Sequence, residues 1–411
     1  MSKASDPSLV DRNVMRKLTL LLFLAAFALP AIAVKLVTVQ HLEQAVAEAR
    51  SKADKDIAQQ LTKLELTERL STARLDKLKA ELPGDQSRKA LLAVADASAF
   101  LNLPAADILH DPPPDSATQG KIMSLAADFV VATLPKMPDF FATRTTTRFN
   151  DMRVEYLFGE PNIVQNDGFH LVDKFSDTVL FRDGRELVQA TTAKKGEISA
   201  PPQTGLANWG VFGPLLGIVM TDVLKGKMGW GHWEQGATGP LAVFRYAVAE
   251  GKSGYTVRYC CFQSDGAVLR EFKAVPPYHG EITIDPATGA VLRLVVNTDL
   301  KPGPQIFRAD LLVEYSAVEI GGKSYICPAR SISISKAIEV VSREVASPDG
   351  KATYTVLAGM PDVTSINDVV FDNYHQFRGE MRILPADNAD PNISAPSLQP
   401  AAPSASPPPQ R

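Results

Sequence analysis

From Phe140 to about Leu384 the apolar residues recur at every second position, and short turns cut the pattern into strand-length pieces. A period of two places successive side chains on opposite faces of a strand, so this stretch is committed to β-sheet. Phe141, Thr143, Thr145 and Thr147 alternate with Ala142, Arg144 and Thr146. Segments Thr178–Arg182 and Glu186–Thr191 flank Asp183-Gly184, a pair suited to a two-residue hairpin turn. Leu241–Ala249 and Tyr255–Phe262 flank Gly-Lys-Ser-Gly; Glu281–Ile284 and Ala290–Val296 flank Asp285-Pro286-Ala287-Thr288-Gly289; Leu311–Ile320 and Lys323–Ser335 flank Gly321-Gly322. Such short links predict consecutive antiparallel hairpins, not strand-helix-strand units.

Residues 34–137 read as a helical region. Val39, Leu42 and Val46 follow helical spacing behind Thr38, a possible N-cap, and Ile57, Leu61 and Leu64 follow Asp54. Leu70, Leu78 and Leu82 end at Pro83-Gly84, and Asp85 is placed to cap a helix holding Leu91, Leu92 and Val94. After the stiff Asp111-Pro-Pro-Pro-Asp115, Ser116 opens a helix with Ile122, Leu125 and Phe129 on one face. The apolar stripe drifts and no heptad survives, so these helices are expected to pack within the chain, not as a coiled coil.

The β region, 138–385, carries an inserted helix over 210–225. Val211–Val223 is apolar on nearly every side and wants burial all round, yet it is too short to span a bilayer. Trp209, Phe212, Leu215, Leu216, Ile218, Val219, Trp230, Trp233 and Phe244 gather around it in sequence. They read either as core or as the wall of a concave pocket for a greasy ligand. Residues 386–411 contain seven prolines among Ala, Ser and Gln and read as a disordered tail.

The N-terminus fixes the expected compartment. Arg16-Lys17, the apolar run Leu18–Leu29, Pro30 and Ala31-Ile32-Ala33 have the order of a secretory signal. Cleavage after Ala33 and a periplasmic or secreted mature chain are expected; an uncleaved anchor is the alternative, and either Met1 or Met15 could be the start. Export would place Cys260, Cys261 and Cys327 in an oxidising compartment, where Cys327 would pair with Cys261 or with Cys260, the first favoured by the face it shares with Tyr259.

No site for bond-making chemistry stands out. His232 and Glu234 share a strand face, but no third ligand is spaced to complete a metal site. The chain has no H-E-x-x-H, G-x-S-x-G or phosphate loop, so neither an enzyme nor a cofactor is expected. A net charge of −3 and the absence of a basic stripe past residue 33 argue against nucleic acid.

Residues 280–294, Gly-Glu-Ile-Thr-Ile-Asp-Pro-Ala-Thr-Gly-Ala-Val-Leu-Arg-Leu, resemble the strand, D-x-x-T-G turn, strand element of exported lipoprotein-carrier proteins of the LolA kind. Residues 313–328, ending Tyr325-Ile326-Cys327-Pro328, are similar to the next hairpin of that family. The resemblance implies a half-barrel-like antiparallel sheet with helices over its concave face and an apolar cavity for acyl chains. Expected, then, is an α+β chain: an N-terminal helical region, a large curved antiparallel sheet and an inserted apolar helix. It would be a non-catalytic envelope protein that binds or carries a lipid-like hydrophobic ligand, or else an envelope scaffold or signalling partner acting through its N-terminal helices. Sequence names neither the ligand, the partner nor the oligomeric state.

Overall fold

A computed structural model describes residues 34–157, 160–188, 205–206, 210–264, 268–301, 305–339, 341–347 and 353–377. The expected signal segment 1–33, residues 189–204 and the expected tail 386–411 lie outside the described residues.

The described chain opens with β1 (Lys35–Val37), α1 (Val39–Ala49), α2 (Asp54–Leu61), β2 (Leu64–Leu66), α3 (Thr72–Glu81) and α4 (Asp85–Ala97). β1 and β2 pair in parallel, an element the helical periodicity did not suggest. Thr38 caps α1, its hydroxyl accepting from the His41 N–H. Asp54 and Asp85 are not caps of their own helices but their first residues. The Asp54 carboxylate instead reaches α4 and accepts from Gln86 N and Ser87 N, each at 3.0 Å. It thereby satisfies orphan donors that Gly84, the residue at the cap position, has no side chain to meet. Val39, Leu42, Ile57, Leu61, Leu75, Leu78 and Leu91 bury against one another in a core of their own.

The remaining elements are β3 (Ile108–Leu109), α5 (Ser116–Thr133), β4 (Phe140–Leu157), β5 (Glu160–Arg182), β6 (Arg185–Val188), β7 (Gly205–Leu206), α6 (Pro214–Val223), β8 (Lys227–Gln235) and β9 (Pro240–Val248). They continue as β10 (Val257–Ser264), β11 (Val268–Ala274), β12 (Tyr278–Ile284), β13 (Val291–Thr298), β14 (Ile306–Ile320) and β15 (Lys323–Ile338). The last are β16 (Val341–Ala346), β17 (Thr353–Gly359) and β18 (Asp362–Gln376). Eleven strands make one open sheet in the order β3-β8-β9-β12-β13-β14-β15-β18-β4-β5-β6. Its neighbours run antiparallel throughout. The chain is therefore α+β with a large antiparallel sheet. No described helix is long and apolar enough to cross a membrane.

Turn chemistry sets the hairpins. Asp183 and Gly184 (φ 51° and 73°) join β5 to β6, and Gly321 and Gly322 (φ 60° and 79°) join β14 to β15. Two successive positive φ values match the twist that flanking strands require. At Asp285 the carboxylate accepts from Ala287 N and the Thr288 hydroxyl, closing the turn between β12 and β13.

One expected hairpin is not formed. β9 pairs with β8 and β12, while β10 leaves for a three-stranded sheet with β11 and β7. The Gly254 N–H donates to Asp222 of α6 at 2.6 Å, so the link after β9 is drawn to the helix and away from its strand.

The expected bond to Cys327 is not formed either. Cys327 is a free, buried thiol on β15, opposite Ser316 of the main sheet. Cys260 lies on β10 in the other sheet, opposite Gly205, and has an interaction of its own; the Cys261 side chain is outside the described residues. Burial pushes the Cys327 thiol up to about 12, which leaves almost no thiolate at neutral pH. Iodoacetamide is expected to spare Cys327 in the folded protein and to modify it after denaturation, read by peptide mass mapping. Rapid modification of the native protein would contradict this packing.

Both faces of the main sheet are covered. On one, α5 and α6 pack with Phe140, Phe181, Phe212, Phe244 and Leu294 in the largest core. On the other, Ala93 of α4 and Ala99 meet Phe149, Val295, Leu312, Ile332 and Ile366. Alternation along β13 assigns Leu294 and Val296 to the first face and Arg293 and Val295 to the second.

Candidate functional site

The expected ligand wall is part of the core. Phe212, Leu215, Leu216, Val219 and Phe244 are buried in the cluster under α6, and Ile218, Trp230 and Trp233 pack against it. Trp209 lies outside the described residues. A bulge between Trp230 and His232 turns Trp230 to the face of Trp233, with ring centroids 4.8 Å apart. The gap lined by Phe129, Leu216, Tyr315 and Ile326 measures about 10 Å³. That is about the room of one water molecule. The apolar face is filled by α6 itself.

A larger space lies on the opposite face. Arg293 of β13, Glu314 of β14 and Arg330 of β15 stand directly opposite one another across three neighbouring strands. Facing charges of opposite sign stabilise such a row. Glu234 of β8 accepts from Arg293 Nη1 at 2.6 Å and Nη2 at 2.5 Å, and from Arg69 Nη2 at 3.1 Å. Arg69 enters from the segment joining β2 to α3. Arg330 donates through Nε to Asp368 at 2.6 Å and through Nη2 to Asp96 of α4. The Thr72 hydroxyl, at the start of α3, donates to Glu314 at 3.0 Å. These contacts fasten the helical layer to the sheet with charged groups.

All of these but Asp368 line a cleft of about 200 Å³ with Ser71, Ala73 and Gln235; Leu75, Ala95, Leu312 and Ile332 make its apolar wall. Beyond Arg69 lies a second space of about 240 Å³, lined by Phe100, Asn102, Arg245, His279, Glu281 and Asn297. Two atoms of the cleft's side chains are buried without a hydrogen-bond partner: Asp96 Oδ2 and Arg293 Nε. An unpaired buried polar atom costs about 1–3 kcal/mol, so each calls for an explanation.

The electrostatics follow from burial and pairing. Burial alone would raise the Glu234 carboxyl; the hydrogen bonds and charge of Arg293, with the charge of Arg69, outweigh it and hold the group down at about 2. Burial pushes the Asp96 carboxyl well above the usual carboxylate range, against the pull of Arg330. His232 shares the sheet face of Glu234, and burial lowers its imidazole pKa. Its Nε2 stands 3.9 Å from Glu234, whose two oxygens already face arginines. Among the described residues no three His, Cys, Asp or Glu side chains are placed to hold a metal.

No protein family, curated protein or solved structure matches this chain. The site therefore stands on its own geometry. The sequence offers His232 and Glu234 only as an incomplete metal pair, set aside for want of a third ligand, and does not single out Arg69, Asp96, Arg293, Glu314 or Arg330. Their one local signal was alternation: charges of opposite sign recurring between buried apolar residues on adjacent strands, a pattern that also describes a solvent-facing sheet.

Proposed function

We propose that the protein is a non-catalytic binding protein of the cell envelope, exported with cleavage after Ala33, and that its ligand seat is the polar cleft between α3, α4 and the sheet. The carrying observation is a space of about 200 Å³ on which the side chains of Arg69, Arg293, Arg330, Glu234 and Glu314 converge. A preformed concavity with converging polar groups and shifted carboxyls is where a small molecule is expected to bind. The test is thermal unfolding of the mature protein against a panel of small polar solutes at millimolar concentration. A ligand that binds only the folded state raises Tm with concentration. At least one solute is expected to do so, and a flat response across the panel would overturn the reading. Mass spectrometry of the envelope protein should give an N-terminus at Val34; a chain retaining Leu18–Leu29 would remove the export part.

A second reading keeps the lipid-like ligand. It is favoured by α6, whose Leu215, Leu216, Val219 and Val223 occupy the place an acyl chain would take in a half-barrel-like sheet. Gly210 and Gly213 (φ 77° and 148°) precede the helix, so withdrawal of α6 as a unit would admit a chain. Native mass spectrometry after gentle purification is expected to retain lipid on this reading; a clean apo mass counts against it.

A further inference from the structure

We propose that the end of the main sheet where β8 starts and β9 finishes rests on an anionic phospholipid surface. Leu224, Met228 and Val275 enter the headgroup layer, and the lysines around them pair with lipid phosphates. None of these residues lines the cleft.

Strand register gathers four links at this end. Lys227 pairs with Ala247, and the next residue, Val248, pairs with Tyr278, which pairs in turn with Thr298. These residues end the neighbouring strands β8, β9, β12 and β13, so residues 224–226, 249–254, 275–277 and 299–301 all join the sheet on one side. The end of β11 comes here too, because Ala274 pairs with Val257 at the start of β10. Contacts tie the links together. Lys252 Nζ donates to the Lys225 carbonyl at 2.8 Å, Asp299 N to the Pro277 carbonyl at 2.9 Å, and Lys301 Nζ to Glu250 Oε1 at 2.5 Å. Asp222 of α6 holds them from within, accepting from Gly254 N at 2.6 Å and from the Tyr278 hydroxyl at 2.9 Å.

α6 buries Leu215, Leu216, Val219 and Val223, but Leu224, the next residue, is 78% exposed. Val275 is 50% exposed and Met228 44%. A single exposed apolar side chain is ordinary; three on converging links, rimmed by charge, mark a docking surface.

The charge selects the partner. Lys225, Lys227, Lys252, Lys273 and Lys301 are all exposed on these links or at the end of β11. Against them stand Glu250, Asp299 and the buried Asp222, while Arg258 and Glu271 nearby pair with each other at 2.6 Å. This end is therefore net positive in a chain of net charge −3. Protein interfaces enrich arginine and aromatic residues and deplete lysine, whereas this rim is all lysine and aliphatic side chains. A flexible ammonium suits a field of phosphates, and short apolar side chains between lysines suit the headgroup boundary.

Co-sedimentation of the mature protein with vesicles reads this directly. Vesicles of phosphatidylcholine and phosphatidylglycerol in equal parts are expected to bind it at low salt and to release it as salt rises. Phosphatidylcholine alone should bind at least about tenfold more weakly, because each lysine near an anionic surface contributes roughly fivefold. Lys225→Glu combined with Lys227→Glu should lose at least about tenfold in affinity for the mixed vesicles. Leu224→Ser should lose roughly tenfold through the apolar contact alone. All three side chains are exposed, so these variants should keep the parental circular dichroism spectrum and Tm. Val131→Ser should bind as the parent does: Val131 is 74% exposed on α5, which meets Gly289 at the opposite end of β12 and β13. Equal binding to both vesicle types, parental binding in Leu224→Ser, or an equal loss in Val131→Ser would overturn the proposed surface. No vesicle binding would do the same; a concentration-dependent dimer that Leu224→Ser abolishes would then give the patch to a second copy of the chain.

Discussion

Glu234→Ala is expected to cost about 3–5 kcal/mol of folding stability, the usual result of removing one partner from a buried ion pair. Among the described residues Glu234 is the single acceptor for Arg293 Nη1 and Nη2 and for Arg69 Nη2, and the side chains of Arg69 and Arg293 are only 7% and 10% exposed. Alanine would leave both guanidinium groups without their charged partner at positions this little exposed. The pH dependence supplies a second readout. Its arginine partners hold the Glu234 carboxyl near 2 in the folded chain, below its ordinary 4.5. A depressed carboxyl contributes stability that is complete above about 4.5 and is lost as pH falls from there through about 2. A shift of that size corresponds to roughly 3 kcal/mol, in line with the mutational figure. Urea unfolding at pH 7 and at steps down to pH 2 measures both. The variant should lose midpoint at pH 7 and show a shallower acid decline between 4.5 and 2. A loss below about 1 kcal/mol, the level of an exposed ion pair, would mean that the arginines find other acceptors and that the seam does not hold the helical layer.

Much of the sheet was legible because hairpins are local. Asp183-Gly184, Asp285–Gly289 and Gly321-Gly322 each carry their own backbone instructions, and the flanking alternation needs no distant partner. The turn after β9 looked no different, yet its strand goes elsewhere, because Asp222 captures Gly254 from 32 residues away. Asp54 failed as a cap for the same reason: its acceptors serve α4, not α2. The cleft was the least legible part. Asp96 meets Arg330 across 234 residues, and Arg69 meets Glu234 across 165. A strand that alternates charged and apolar residues has one wet face by default, and nothing within β13, β14 or β15 says that a helical layer will close over it. The apolar helix shows the complementary limit. Its composition demanded burial, and it is buried, but hydrophobicity does not distinguish a ligand's seat from a plug that occupies it.

Phe212→Ala tests whether α6 is such a plug. The ring lies just before α6 and touches strands far apart in sequence: it sits 5.0 Å from Phe371 edge-on, 5.5 Å from Phe140, and 6.3 Å from both Phe181 and Tyr374. Those partners come from β4, β5 and β18, so Phe212 pins the entry to α6 against the seam where the last strand of the sheet meets its earlier hairpin. A buried phenylalanine truncated to alanine costs about 3–5 kcal/mol, the lost transfer energy plus the cavity left behind. The void would open beside the 10 Å³ gap that Phe212 itself lines with Phe129, Leu216 and Tyr315. Apolar voids of ring size stay dry and accept small aromatics. Benzene should therefore raise Tm in the variant and leave the parent unmoved, because the parent has no room. A variant as stable as the parent, with no response to benzene, would show that the end of α6 is not wedged between these strands. The helix would then have little to overcome in withdrawing, which is the behaviour that a lipid carrier needs and that the packed aromatic cluster opposes.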